Sequence, residues 1–251
     1  MNDQIGSDHP GLASWIPNIL TFLNLCTGFL ALLKIHQGYF FQAVWLIVLC
    51  LVWDSLDGNI ARIFKVTSQL GRELDSLADA VSFVVAPTFL VTIYMWSQLD
   101  IQVLFFAGIF LVAGVYRLAR FNLKPPVAYY FKGLPTPAAA IALSMTVLAH
   151  MKSADLHPEI SNFSLLLLMI LLSILMVSKV PYPKISALPF KNWQILSYAS
   201  LIIFALTTWM VNLESGAVMI IYLFLAFSPF CRQPESPAVM DPSGAHAPIP
   251  K

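Results

Sequence analysis

Long apolar runs alternate with short polar segments along most of the chain. A run of about 20 apolar residues is long enough for a helix to cross the hydrocarbon core of a bilayer. The runs that meet this length are 17–36, 40–62, 74–96, 101–121, 134–151, 161–178, 194–212 and 215–231. The pattern therefore predicts an all-α fold, a polytopic transmembrane helix bundle of about eight spans.

The composition agrees with a membrane protein. Of the 251 residues, 58% are hydrophobic and 11% are charged, whereas a soluble domain has about 25% charged residues. The formal net charge is +1, so nothing indicates a nucleic-acid partner. The segment 232–251 is rich in proline, serine and alanine and has no apolar period, so we expect it to be a disordered tail.

The positions of the basic residues predict the orientation of the bundle. If the N-terminus is cytoplasmic, all but two of the 14 Lys and Arg residues fall on the cytoplasmic side, the exceptions being Lys34 and Lys152. Cytoplasmic loops of membrane proteins carry an excess of Lys and Arg. We therefore expect a multi-pass protein with both termini in the cytoplasm.

The segment DSLDGNIARIFKVTSQLGRELDSLAD, residues 54–79, interrupts the apolar pattern between the second and third spans. Asp54 and Asp57 are three residues apart, and Asp75 and Asp79 are four apart, so each pair shares one face of a helix. Packed antiparallel, the two helices could bring four carboxylates into one small volume at the cytoplasmic side. Such hard oxygen ligands suit Mg²⁺, Mn²⁺ or Ca²⁺, and two ions could clamp a phosphate or diphosphate.

Small residues and one cation accompany these aspartates. Gly58 and Ala61 follow the first aspartate at one and two helical turns, and Gly71 precedes the third by one turn. They leave room for a bulky ligand against the helix backbones. Arg62 offers a fixed cation for phosphate oxygens.

Two other interpretations of the acidic segment are open at this point. The aspartates could cap helices and form interfacial ion pairs with Arg62, Lys65 and Arg72. The chain could also be a metal-ion transporter, because acids within a membrane mark ion pathways. Transporters often show repeated halves or broken helices near the midplane, and this sequence has no visible repeat.

The segment matches in full the signature D-x-x-D-G-x-x-A-R, eight residues, G-x-x-x-D-x-x-x-D, and thus resembles the CDP-alcohol phosphotransferases. The matching residues are Asp54, Asp57, Gly58, Ala61, Arg62, Gly71, Asp75 and Asp79. Stretches outside it, such as IPNILTFLNLCTGFLAL, YRLARFN and FKGLPTPAAA, are similar to the phosphatidylserine synthase branch, the CDP-diacylglycerol–serine O-phosphatidyltransferases.

The resemblance implies an enzyme that moves the phosphatidyl group of CDP-diacylglycerol to the hydroxyl of L-serine and releases CMP. It implies two ions of Mg²⁺ or Mn²⁺ held by Asp54, Asp57 and Asp75, with Asp79 as a further ligand or as the general base. The residues implied in binding the CDP-lipid are Asn18, Asp54, Asp57, Gly58, Ala61, Arg62 and Gly71. A homodimer within the membrane is also implied.

The domain bounds follow from the extent of the resemblance, which runs from about residue 15 to residue 190. We divide the chain into a cytoplasmic N-terminal segment (1–15), the CDP-alcohol phosphotransferase membrane core (16–190), two additional C-terminal transmembrane helices (191–231) and the disordered tail (232–251).

The residues that would bind the acceptor are less specific. Arg117 and Arg120 could bind a carboxylate or a phosphate, or they could anchor the cytoplasmic end of the fourth span. Lys132 could face lipid phosphate. Other acceptors of the same family, namely glycerol 3-phosphate, inositol or its phosphate, and choline, remain alternatives to serine.

The first span carries Asn18, Thr21 and Asn24 on one face, at steps of three residues. Such side chains could contact the nucleotide or form hydrogen bonds between helices. The sequence favours the nucleotide for Asn18 and an interhelical bond for Asn24.

Overall fold

The computed structural model describes residues 15–63, 69–123, 130–153 and 158–183. In chain order the elements are α1 (Trp15–His36), α2 (Phe40–Ile63), α3 (Gln69–Asp79), a π-helical turn (Ala80–Val85), α4 (Ala86–Asn122), β1 (Tyr130–Lys132), α5 (Thr136–Ser153), α6 (Pro158–Val177) and β2 (Pro181–Pro183). The described part of the chain is thus mainly helical, as the apolar runs predict.

Several helical stretches are apolar and long enough to cross a membrane. Those in the described residues are Trp15–His36, Phe40–Gly58, Gln69–Trp96 and Ile101–Asn122, with shorter apolar helices at Thr136–Met151 and Leu165–Val177. The four long stretches coincide with the first four predicted spans, and the two shorter helices lie within the fifth and sixth predicted runs. The chain is a helical integral membrane protein. The predicted spans 194–212 and 215–231 and the tail 232–251 lie outside the described residues.

A tight turn joins α1 to α2 and makes them antiparallel neighbours. The N–H of Gly38 donates to the carbonyl of Ile35 and that of Tyr39 to the carbonyl of Lys34, a pattern that ends a helix on a residue in the left-handed region. Gly38 has a φ of 80°, which a residue without a Cβ adopts at little cost.

Helix α4 (Ala86–Asn122) reverses its direction within its length. A straight helix rises about 1.5 Å per residue, so the two ends of Ala86–Asn122 would be far apart. Instead, Asn122 accepts a hydrogen bond from Ser76 at 3.0 Å, and Gly114 lies against Val84. The arm 101–122 therefore runs back along the segment 69–96, in agreement with the two separate spans that the sequence predicts.

The core lies where α1, α2, α4, α5 and α6 meet. Its largest fully buried side chains include Ile35, Ile47, Leu90, Phe110, Leu143 and Met169. Large apolar side chains also cover the outside of the bundle. On α6, for example, Phe163, Leu167, Leu171 and Ile174 are all exposed, which is the surface expected of a helix that faces lipid.

A small sheet ties the start of α5 to the end of α6. Strand β1 pairs antiparallel with β2, with Phe131 opposite Tyr182. The N–H of Gly133 donates to the carbonyl of Val180 at 2.8 Å, and Gly133 has a φ of 82°. The apolar pattern did not predict this sheet, because each of its strands has only three residues.

Candidate functional site

Three carboxylates from two helices converge at one end of the bundle. Asp54 and Asp57 lie on α2 and Asp75 lies on α3, and they offer oxygens that all lie within 4.8 Å of one another. Asp57 is buried, and Oδ1 of Asp75 is buried without a hydrogen-bond partner among the described residues. Like charges this close repel unless a cation lies between them, so the donor set fits a hard divalent ion.

The fourth aspartate of the signature lies beside this cluster. Asp79 is one helical turn beyond Asp75, at the end of α3, and only 9% of it is exposed. It interacts electrostatically with the three other carboxylates. The structure therefore brings all four aspartates of the signature together, three as a tight group and the fourth as a buried neighbour.

Helix α1 supplies side chains that hold two of these carboxylates. The hydroxyl of Thr21 donates to Oδ2 of Asp57 at 3.0 Å, and the amide of Asn24 donates to Oδ1 of Asp79 at 3.4 Å. Both α1 residues are buried. Asn18 is half-buried on the same helix, and its contact with a nucleotide stays a prediction.

The chain leaves Asp79 through the π-helical turn, which the sequence did not predict. In this turn Ser82 donates to the carbonyl of Asn24 at 3.1 Å. A Cβ at Gly28 would overlap Oγ of Ser82, and a Cβ at Gly114 would lie 2.7 Å from Cγ1 of Val84. Two glycines on neighbouring helices thus make room for the turn. Such turns occur often at functional sites.

The described residues leave the surface of α2 beside Asp57 uncovered. Among them, no atom lies within 4 Å of a Cβ built on Gly58. Gly71 lies on α3 one turn before Asp75, and Ala61 and Arg62 continue α2 toward its end. The position of Gly58 suits a groove along α2, whereas the contacts of Ala61, Arg62 and Gly71 with a nucleotide stay predictions.

Among the described residues, Arg117 is a buried cation near the site. Only 7% of it is exposed, and its Nη1 donates to the hydroxyl of Thr136 at 2.6 Å. Its guanidinium interacts electrostatically with Asp79 and Asp54. A guanidinium has five N–H donors, so Thr136 engages a small part of its capacity.

Arg120 has different surroundings, one turn further along α4. Its guanidinium donates to the carbonyls of Met176, Val177 and Ser178, at distances of 3.0, 2.6 and 3.3 Å. These carbonyls end α6, so Arg120 caps that helix in the way that cations often do. Lys132 lies in β1, opposite Pro181 of β2, and its contact with lipid phosphate stays a prediction.

Comparison with known proteins agrees with this site. A model of the CDP-alcohol phosphatidyltransferase family matches residues 14–228. A relative from Helicobacter pylori, named CDP-diacylglycerol–serine O-phosphatidyltransferase, is 32% identical over 204 residues, which is 80% of this chain and 84% of the relative.

Two archaeal relatives are similar over a shorter stretch. A protein of the same name from Methanocaldococcus jannaschii is 37% identical over 67% of this chain and 74% of its own. An archaetidylserine synthase from Methanothermobacter thermautotrophicus is 33% identical over 69% of this chain and 71% of its own. With its carboxylate signature complete and assembled, the chain belongs to the CDP-alcohol phosphatidyltransferase family.

Proposed function

We propose that this protein transfers the phosphatidyl group of CDP-diacylglycerol to the hydroxyl of L-serine and so forms phosphatidylserine and CMP. The convergence of Asp54, Asp57 and Asp75 in a membrane bundle of this family carries the proposal. The names of the relatives differ in the lipid part, phosphatidyl or archaetidyl, but share serine. Serine is therefore the better supported half of the substrate pair.

The site would use divalent metal. Asp54, Asp57 and Asp75 would hold Mg²⁺ or Mn²⁺, as two ions, and Asp79 would be a further ligand or the general base. Bound there, the metal supplies positive charge that neutralises the diphosphate and stabilises the departing CMP.

Asp79 is the candidate general base. It would accept the proton of the serine hydroxyl while that oxygen forms a bond to the β-phosphorus and the bond from this phosphorus to CMP breaks. Its burial removes it from competing water, and Asn24 fixes one of its oxygens. A base held in one orientation beside the reacting atoms is effective, because no further entropy is lost in orienting it during the reaction.

The nucleotide end of the donor would lie along α2 and α3. We assign the groove at Gly58 to it, together with Asn18, Ala61, Arg62 and Gly71. The open space at Gly58 supports this assignment. The acyl chains would extend sideways into the lipid, which gives the enzyme its reason to be in the membrane.

Arg117 suits the carboxylate of the acceptor. It is buried, close to Asp79, and only one of its N–H donors engages Thr136. An arginine can bind a carboxylate through two parallel hydrogen bonds, and choline has no such group. Arg120 is engaged with α6, so we assign it, with Lys132, a secondary contact with phosphate or lipid headgroups.

The orientation and assembly follow the sequence-based predictions. We propose a site at the cytoplasmic face, both termini in the cytoplasm, and a homodimer formed through membrane helices. The excess of Lys and Arg on one side of the spans supports the orientation.

The test is an acceptor screen on purified protein in mixed micelles of CDP-diacylglycerol with Mn²⁺ or Mg²⁺. CMP release is measured with serine, glycerol 3-phosphate, inositol, inositol phosphate and choline offered separately. Release with serine alone supports the proposal. Release with another acceptor would show that the enzyme uses that acceptor in place of serine. If no acceptor gives release, a metal-transport assay is the next measurement.

A further inference from the structure

Asn24 lies where α1, α2 and the π-helical turn meet. Its side chain is fully buried. Its backbone carbonyl accepts hydrogen bonds from Oγ of Ser82 at 3.1 Å and from Sγ of Cys50 at 3.5 Å. Its side-chain amide donates to Oδ1 of Asp79 at 3.4 Å. One residue of α1 thus contacts Asp79 directly and also, through Ser82, the turn that follows Asp79.

The amide of Asn24 has one partner at its nitrogen end and none at its oxygen end. Its Oδ1 is buried without a hydrogen-bond partner among the described residues. An unpaired buried acceptor lowers the stability of the fold, so packing alone would favour an apolar side chain here. If the amide were turned around, its oxygen would face the carboxylate oxygen of Asp79, and two acceptors would meet. The nitrogen therefore has to point at Asp79.

The environment of Asp79 makes this donor important. The carboxylates of Asp54, Asp75 and Asp57 all act on it as like charges, and they favour any rotation that takes Asp79 away from them. Asn24, on the neighbouring helix α1, provides an uncharged hydrogen-bond donor to Asp79. The distance of 3.4 Å is long for a hydrogen bond, and hydrogen bonds of catalytic groups tighten in the reacting complex.

We propose that Asn24 is a positioning residue for the transfer reaction: its amide holds the carboxylate of Asp79 in the orientation that receives the proton of the acceptor hydroxyl. The inference rests on the proposed function, because Asn24 acts through Asp79. It goes beyond the interhelical bond that the sequence favours for this residue.

The test replaces the amide by an apolar side chain of similar shape. Asn24→Leu keeps the backbone carbonyl that Ser82 and Cys50 use and removes the donor to Asp79. We expect kcat with serine to fall about 10- to 100-fold, the range known for residues that orient reactive ligands. The KM for CDP-diacylglycerol, the melting temperature in detergent and its rise on addition of CDP-diacylglycerol should stay as in the wild type.

Thr92→Val is the matched control. Thr92 is also a buried polar residue within a span, but its hydroxyl donates to the carbonyl of Thr88 in its own helix, at 2.8 Å. This variant should keep the wild-type kcat. If Thr92→Val loses as much activity as Asn24→Leu, any buried polar group is equally important and the inference is overturned.

The outcomes separate this inference from the proposed function. Wild-type protein that releases no CMP with serine overturns both. Active wild type with an unchanged kcat in Asn24→Leu overturns the positioning role alone. Should Asn24→Leu fail to fold, Asn24→Ser is judged by the same measurements, because a serine stays polar but is too short to reach Asp79. A normal kcat in Asn24→Ser would equally refute the role.

Discussion

The hydroxyl of Thr21 donates a hydrogen bond of 3.0 Å to Oδ2 of Asp57, across the interface of α1 and α2. The same hydroxyl lies 3.1 Å from the carbonyl of Pro17, four residues earlier on α1. Thr21 therefore ties one carboxylate of the cluster to the backbone of a helix that carries none of the four aspartates.

Removal of this hydroxyl should weaken the metal site while the bundle stays intact. In Thr21→Val the shape is kept but Asp57 loses its donor, so its carboxylate becomes free to rotate. We expect the Mn²⁺ concentration that gives half-maximal CMP release to rise about tenfold, within the range measured for outer ligands of metal sites. A metal titration of wild type and variant, with Thr92→Val as control, measures this; an unchanged titration curve would show that Thr21 does not support the site.

Neutralising one carboxylate should have opposite effects on activity and on stability. In Asp57→Asn we expect CMP release to fall by more than about 100-fold. Without metal, the variant should melt at a higher temperature than the wild type, because one of three mutually repelling charges is gone. The rise in melting temperature on adding Mn²⁺ should shrink.

Glu73→Gln is the control for that experiment. Glu73 is an exposed acid on α3 outside the three-carboxylate group, so its replacement should change neither the melting temperature without metal nor the response to Mn²⁺. Near-normal turnover in Asp57→Asn would refute the metal-clamp assignment.

The two arginines of α4 should have different roles: Arg117 binds the acceptor, and Arg120 stabilises the fold. Arg117→Gln should raise the KM for serine about 10- to 100-fold, the equivalent of losing a hydrogen bond between charged groups, and leave the KM for CDP-diacylglycerol unchanged. Arg120→Gln should mainly lower the melting temperature, because three carbonyls at the end of α6 lose their donor. Steady-state kinetics and thermal melts on the pair measure both effects, and the reverse pattern would exchange their roles.

Two glycines of the same helix arm offer a matched test of the π-helical turn. A Cβ at Gly114 would lie 2.7 Å from Val84, whereas a Cβ at Gly108 meets no atom of the described residues within 4 Å. Gly114→Ala should destabilise the protein by about 1–3 kcal/mol, as overpacking does, and lower kcat by displacing the turn. Gly108→Ala should lose no stability, since alanine favours helix. Thermal melts compare them, and equal melting temperatures would mean that the turn tolerates displacement.

The sequence predicts the carboxylate cluster well because its determinants are local. Helical periodicity places Asp54 with Asp57 on α2 and Asp75 with Asp79 on α3, the next helix of the chain. The structure shows the resulting convergence with Asp75. The four helices long enough to cross a membrane are equally local, since each is set by its own apolar run.

The features that the sequence missed depend on contacts between distant segments. Arg120 caps α6 through carbonyls 56 to 58 residues later in the chain, and no local pattern around either element shows this. The strands β1 and β2 are too short to leave a period. The π-helical turn has an ordinary apolar sequence, AVSFVV, and its shape depends on the space that Gly28 and Gly114 leave for it.

The π-helical turn also has a consequence for the aspartates. An α-helix turns about 100° per residue. One residue added within a helix therefore rotates the side chains that precede it by about this angle relative to the side chains that follow it. The turn at Ala80–Val85 accommodates such an extra residue. It allows α3 to direct Asp75 and Asp79 toward the cluster while α4 keeps its own apolar face in the core. Loss of a single residue here would turn the aspartates away from the cluster without changing any of them, so their convergence depends on the length of this short segment.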